Sequence, residues 1–171
     1  MSSSIISFSE PSTAEEIKLL AGLAREIWTA HYVPIIGLEQ VDYMLDKFQN
    51  EVAICQQLEQ GYRYFMIYRN EKLVGYIAFI LQENNSSLFL SKFYIKANFQ
   101  GSGIGRTAME FIEQYCRSHV IHQLWLTVNK HNTGAISFYN KVGFKTLNSL
   151  VQDIGSGFLM DDYKMEKYLT I

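Results

Sequence analysis

Apolar positions recur along this chain with two periods, and the switches between them mark out its elements. Ile17, Leu20, Leu23, Ala24 and Ile27 follow helical spacing up to Trp28, which predicts a helix opening near Pro11-Ser12-Thr13. Ser12 with Glu15, or Thr13 with Glu16, can form a capping box for its first turn. His31-Tyr32-Val33-Pro34 is expected to end it, because proline disfavours helical geometry at the residue before it. A second helix is predicted over 38–48, with Val41, Met44, Leu45 and Phe48 on one face, and a separate piece over 51–59, ended by Gly61. The period then shortens. Strands are predicted over 5–8, 62–68 and 73–81, with a turn at 69–72 and with Gly75 marking a bulge or a close approach of backbone. A polar loop over 83–87 leads into a central strand near Leu88. Ile104, Ala108, Phe111, Ile112 and Tyr115 restore helical spacing to about Ser118. A buried strand over 124–128, a short helix over 132–142 closed by Gly143, and strands over 144–148 and 158–165 around a loop at 153–157 complete the pattern. Strands and helices do not alternate regularly, so a mixed sheet in one domain over 1–171 is expected.

Residues 88–107, LFLSKFYIKANFQGSGIGRT, carry the first candidate chemistry. A strand feeding a glycine-rich bend that opens a helix presents bare N–H groups to an anion. Gly101, Gly103 and Gly105 remove the Cβ atoms that would hold a phosphate away, and Arg106 adds a full positive charge. The plain alternative is a glycine-rich turn that holds nothing. A P-loop would need glycine where Gln100 stands, and a lysine where Arg106 stands. The dinucleotide fingerprint fails on spacing. What matches is Gln-x-x-Gly-x-Gly, as Gln100, Gly103 and Gly105, directly after Phe93-Tyr94-Ile95. That run resembles the acyl-CoA signature of the GNAT superfamily of N-acetyltransferases.

Composition narrows the classes further. Apolar residues at 48% and charged residues at 19% describe a globular chain and not a disordered one. A net charge of −2 argues against non-specific nucleic-acid binding, which needs a basic face. Cys55 and Cys116 stand far apart with no C-x-x-C, so neither zinc nor a disulfide framework is indicated, and Cys116 falls on an apolar helix stripe as a buried thiol. The first ten residues have no basic segment followed by an apolar run, and no stretch approaches a membrane span, so a cytoplasmic protein is expected.

A second stretch, residues 129–144 (NKHNTGAISFYNKVGF), resembles the other GNAT signature through Asn132, Ala135, Phe138, Tyr139, Gly143 and Phe144. The two runs are separated by a helix and a strand, as in the superfamily. The resemblance implies an α+β (mixed α/β) acyl-CoA N-acyltransferase fold: a mostly antiparallel mixed sheet, splayed after the fourth strand and flanked by helices. It implies acetyl-CoA as acyl donor, with pantetheine adding like a strand along Phe93, Tyr94 and Ile95. A backbone N–H of Phe93 or Tyr94 would polarise the thioester carbonyl. The diphosphate would lie on Gln100, Gly101, Ser102, Gly103, Ile104, Gly105 and Arg106. Asn132 resembles the residue that contacts the pantetheine or diphosphate arm, though it also reads as a helix N-cap. Tyr139 resembles the general acid that returns a proton to the departing thiolate. A free thiol has a pKa of about 8.5 and a phenol about 10, so that transfer is nearly balanced. The alternative for Tyr139 is a core tyrosine on a helix stripe with Ala135, Phe138 and Val142.

The base is the gap in the pattern. Many relatives carry a glutamate on the central strand, and this chain has Ser91 and Lys92 there. Asp161, Asp162, Glu83, His31 and a water chain through Ser91 are the candidates. Residues 155–167 and 28–32 resemble bacterial polyamine (spermine/spermidine) acetyltransferases, which points to Trp28, His31, Tyr32, Asp161 and Asp162 as contacts for a small-molecule amine, with no metal. Two other readings stay open: a non-catalytic acyl-CoA-binding module on the same fold, and a protein N-terminal acetyltransferase. The resemblance also allows a homodimer.

Overall fold

The computed structural model describes residues 3–82 and 84–171. Glu83, one of the carboxylates considered as a base, lies outside the described residues. Among the described residues, seven strands are hydrogen-bonded in the order β1-β2-β3-β4-β5-β7-β6, and five α-helices accompany them, which is the α+β architecture expected. The chain forms two compact units, one built from the residues up to Ile80 with Lys92–Ala108, the other from Leu81–Ser91 with Met109–Ile171.

In the first unit, β1 (Ile6–Ser9) pairs antiparallel with β2 (Arg63–Arg69), and β2 pairs antiparallel with β3 (Lys72–Gln82). The β2–β3 turn places both Asn70 and Glu71 at positive φ, 47° and 67°, the handedness that matches the twist of a two-residue hairpin. Helix α1 (Ala14–Ile36) opens on the Thr13/Glu16 capping box, with both of its hydrogen bonds present. It does not stop before Pro34, as the proline rule predicts, but runs through it to Ile36 and ends at Gly37 (φ 85°). An interior proline costs about 3 kcal/mol. Past the proline the Gly37 N–H donates to the Val33 carbonyl at 3.0 Å. Tyr32 before it is buried, its ring centroid 4.4 Å from that of Trp28 one turn earlier, where burial of a large side chain is worth about 1.5–3 kcal/mol.

The helix predicted over 38–48 is two pieces: α2 (Leu38–Met44) and a π-helical turn (Leu45–Gln49). Asn50 then caps α3 (Glu51–Glu59) by accepting from the Ala53 N–H at 2.8 Å. Tertiary bonds account for the wide turn: the Phe48 carbonyl accepts from Lys92 Nζ at 2.9 Å and Gln57 Nε2 at 3.1 Å, while Gln49 accepts from the Tyr76 hydroxyl at 3.0 Å. Tyr64, Met66, Ile67, Tyr76, Ile77 and Phe79 fill the core on β2 and β3.

In the second unit, the start of β4 (Ser87–Ile95) pairs in parallel with β5 (Gln123–Asn129). That ladder holds three pairs, from Ser87↔Gln123 to Phe89↔Trp125, although both strands run on. Helix α4 (Ile104–Ser118), which enters this unit at Met109, carries the buried stripe Met109, Ile112 and Cys116 here and Ala108 before it. Burial pushes the Cys116 thiol up to about 12, which makes it the inert core residue expected. Helix α5 (Thr133–Lys141) follows, and β6 (Lys145–Gly155) and β7 (Phe158–Tyr168) form the last hairpin. The short strands and five-residue loop predicted for this region do not form. Each strand is 11 residues long and the loop is Ser156-Gly157, at φ 54° and 80°. Bulges at Thr146/Asn148 and Asp153/Gly155 absorb the residues that break the alternation on which the strand prediction relied. Among the described residues, no helix is long and apolar enough to cross a membrane.

Candidate active site

The geometry begins at Gly75. Its Cβ, if present, would fall on the Tyr94 carbonyl oxygen, with Ile95 Cα at 3.2 Å, so only glycine lets β3 lie this close to the end of β4. The Lys96 N–H donates to the Val74 carbonyl at 2.9 Å, fixing the point where β4 ends. A 3₁₀ turn (Ala97–Phe99) follows, and the Gln100 side chain reaches back to the Ile95 carbonyl at 3.1 Å. The motif glutamine thus ties the loop to the strand. Beyond it, Gly101 and Gly103 take φ 75° and 87°, and a Cβ on either would meet nothing within 4 Å. The Thr107 N–H closes onto the Gly103 carbonyl at 3.1 Å. Among the described residues, the six backbone N–H groups from Gly101 to Arg106 have no backbone acceptor. Six open donors, a helix N-terminus and Arg106 fit the diphosphate of coenzyme A.

Beside this strand end lies an aromatic cluster. Trp28 and Tyr32 are buried, with the Tyr94 ring 5.5 Å from Trp28 and 6.3 Å from Tyr32, and Tyr76 5.3 Å from Tyr94. His31 packs edge-on against Tyr32 at 4.8 Å and lines a cleft of about 250 Å³ with Glu26, Ile95, Lys96, Asn98 and Gln100. Of the residues predicted to meet an amine, His31 therefore borders open space, while Trp28 and Tyr32 are wall and core. Glu26, paired with Lys96 Nζ at 3.2 Å, lines the same cleft and went unnoticed in the sequence.

Lys92 occupies the strand position where a carboxylate was missing, and it is buried at 4% exposure. Its Nζ donates to the Phe48 carbonyl at 2.9 Å, to Gln57 Oε1 at 2.7 Å and to the Tyr64 hydroxyl, which uses all three ammonium protons. Burial pushes its pKa down to about 7. A lysine at an inward-facing strand position was the available signal.

The second unit holds the other signature. Asn132 is buried and caps α5, accepting from the Ala135 N–H at 3.4 Å, which is the capping role considered for it. Tyr139 is 7% exposed, edge-on to Phe138 and Phe144, each 5.6 Å away. Lys167 Nζ donates to the Val142 carbonyl at 2.6 Å and pairs with Glu113 at 2.5 Å, pinning the end of the helix that carries Tyr139. On β7, Asp161 pairs with Lys130 Nζ at 2.6 Å, and Asp162 is 4% exposed. Burial, and then the Asp161 charge, push the Asp162 carboxyl up to about 6 against the pull of Lys130.

Residues 23–144 match the Acetyltransferase (GNAT) family, and the chain belongs to it. It is an acetyl-CoA-dependent N-acetyltransferase, with the glycine turn the feature that fits the cofactor. Among known proteins it is similar to the spermidine N(1)-acetyltransferase of Thermoplasma acidophilum, 27% identical over 154 residues that cover 86% of this chain and 91% of that one. An uncharacterized N-acetyltransferase of Mycobacterium bovis is 24% identical over 88% of this chain and 96% of its own. The crystal structure of PaiA N-acetyltransferase from Thermoplasma acidophilum in complex with coenzyme A shares the fold, with a TM-score of 0.79 at 24% identity over 96% of this chain and 99% of that one.

Proposed function

We propose that this enzyme acetylates a primary amine of a small, polyamine-like molecule by direct attack on acetyl-CoA, with Tyr139 as general acid. Acetyl-CoA supplies an activated acyl thioester. The open amides from Gly101 to Arg106 are the observation that carries the reading, because they give a diphosphate a fixed seat at the end of β4. Backbone of Phe93, Tyr94 and Ile95 aligns the pantetheine, and a Phe93 or Tyr94 N–H polarises the acyl carbonyl. Asn132 steadies the same arm from the start of α5. The Tyr139 phenol returns a proton to the departing sulfur. Trp28, His31, Tyr32, Asp161 and Asp162 are assigned to the amine. The polyamine class rests on the likeness to the Thermoplasma spermidine N(1)-acetyltransferase and on the acidic pair. Neither cysteine serves as a nucleophile: Cys116 is buried with a raised pKa, and Cys55 is exposed on α3.

Incubation with acetyl-CoA and an amine panel headed by spermidine, read by thiol release, tests this. Turnover is expected, and Tyr139→Phe is expected to lower kcat by about 10²-fold or more while leaving coenzyme A binding intact. A second reading, a non-catalytic acyl-CoA-binding module, draws on the absence of a carboxylate at Ser91-Lys92 of β4. Thiol release by the wild type that Tyr139→Phe abolishes sets it aside, whereas silence across the panel with intact cofactor binding favours it.

A further inference from the structure

We infer that Asp162 is the proton acceptor of the reaction, its carboxylate receiving the acceptor ammonium and taking one proton from it. The inference rests on the proposed function and supplies the base that β4 lacks. Lys92, at the strand position where relatives carry a carboxylate, and two of the other candidates, Asp161 and His31, are in contact with other groups, while Glu83 lies outside the described residues. Lys92 spends its protons on Phe48, Gln57 and Tyr64, and Asp161 is held by Lys130 at 2.6 Å. His31 lies against Tyr32.

Asp162 is in the opposite situation. It stands on β7 in register with Asn129, the last residue of β5, and with Leu150 of β6. Asn129 opens the turn that leads through Asn132 into α5, the helix of Tyr139, so Asp162 stands in register with the strand end that leads into the second signature. At 4% exposure, its carboxylate has no hydrogen bond or ion pair among the described residues. A carboxylate in that condition is costly, and sites that tolerate one are where a charged or proton-bearing ligand completes it.

Its surroundings do not supply the missing partner. β6 contributes the uncharged Leu150, and the Asn129 side chain accepts from the His131 N–H at 2.9 Å. Lys164, two residues along β7, lies over the Trp125 ring at 4.4 Å, leaving Asp161 and Lys130 as the charges that act on Asp162. A carboxyl raised to about 6 is ionised at neutral pH yet basic enough to accept a proton.

An N–H bond of the ammonium breaks and an O–H bond forms on Asp162. The freed nitrogen lone pair bonds the acyl carbon as the carbon–sulfur bond breaks, and the departing sulfur takes the Tyr139 proton. The second nitrogen proton restores Tyr139. The products are an amide, a thiol and one proton, which Asp162 releases to solvent.

The test compares full-length wild type, Asp162→Asn and Asp162→Glu in kcat/KM for spermidine from about pH 6 to about pH 10, the range between the carboxyl and a free alkyl amine. Asp162→Asn is expected to lose about 10²-fold or more at neutral pH and to approach wild type near pH 10, where the amine deprotonates unaided. Asp162→Glu, which keeps a carboxylate, recovers part of the rate. A second readout needs no turnover: spermidine raises the melting temperature of the wild type and not that of Asp162→Asn. Wild-type kcat/KM in Asp162→Asn at neutral pH, or an undiminished spermidine shift, overturns the inference and leaves the acetyltransferase reading standing. If the wild type turns over another primary alkyl amine of the panel but not spermidine, only the polyamine class falls and the same measurements decide the inference with that amine. A wild type that turns over no amine overturns both.

Discussion

Single residues set the two ends of the chemistry, and Gly75 shows how little room they leave. With the Tyr94 carbonyl where its Cβ would be, Gly75→Ala must push β3 and the end of β4 apart. The expected cost is about 1–3 kcal/mol of stability, as for overpacking elsewhere, together with weaker acetyl-CoA binding, because the displaced strand end leads into the glycine turn. Denaturant unfolding and calorimetric titration with coenzyme A measure the two effects, and an alanine variant with native affinity would show that the close approach does not position the cofactor. Lys92 makes a pH prediction. Its folded pKa of about 7 lies below the ordinary lysine value, so between about 7 and about 10.4 the unfolded chain holds a proton that the native state has lost. Stability therefore rises with pH across that window and is flat in this contribution below it. Lys92→Met is expected to remove that slope, whatever its effect on absolute stability. Urea midpoints for both proteins at pH about 6.5 and about 9.5 give the comparison.

Elements position these residues through their ends. A helix start cannot bond its own first amides, and the chain enters this one through Gly101 and Gly103 at positive φ. Gly103→Ala meets no steric neighbour, but it must hold φ 87° with a Cβ, a strain of about 1–2 kcal/mol. The variant is expected to relax that strain by moving the amides, so coenzyme A affinity falls by about 10-fold, the equivalent of 1.4 kcal/mol, with little change in fold by circular dichroism. Unchanged affinity would place the diphosphate elsewhere. At the other signature, α5 is held at its start by Asn132 and past its end by the Lys167 bond to Val142, so the helix bearing Tyr139 is fixed at both termini. Capping signals were legible in the sequence for α1, α5 and the stop at Gly61. The π-helical turn was not, because the groups that call for it, Lys92 and Tyr76, lie 44 and 27 residues away in the chain.

For the whole molecule, a ligand that binds only the native state raises its stability by mass action, about 2.7 kcal/mol at a hundredfold excess over the dissociation constant. Acetyl-CoA is expected to raise the melting temperature in that manner, and ATP much less, since the chain lacks the lysine of a P-loop. Equal shifts from both would mean that the turn reads phosphate alone and has no contacts for the pantetheine arm. The short β4–β5 ladder agrees with the splay after the fourth strand that the resemblance implied, whereas the strand order came only with the folded chain.

What the sequence determined by itself was whatever local spacing encodes. The glycines after β4, the Asn-to-Phe run at α5 and the periodic apolar stripes identified the family, the cofactor and most elements, since each depends on residues within a few positions of one another. Tertiary structure decided the rest. α1 ran on through Pro34, bulges lengthened β6 and β7, and neighbours distant in the chain bound the Lys92 ammonium while leaving Asp162 with no hydrogen bond or ion pair among the described residues. The physical reason is the same in each case. A proline, a lysine or an aspartate has an intrinsic preference that the sequence displays, but the energy that confirms or overrides it comes from contacts that exist only once the chain has folded.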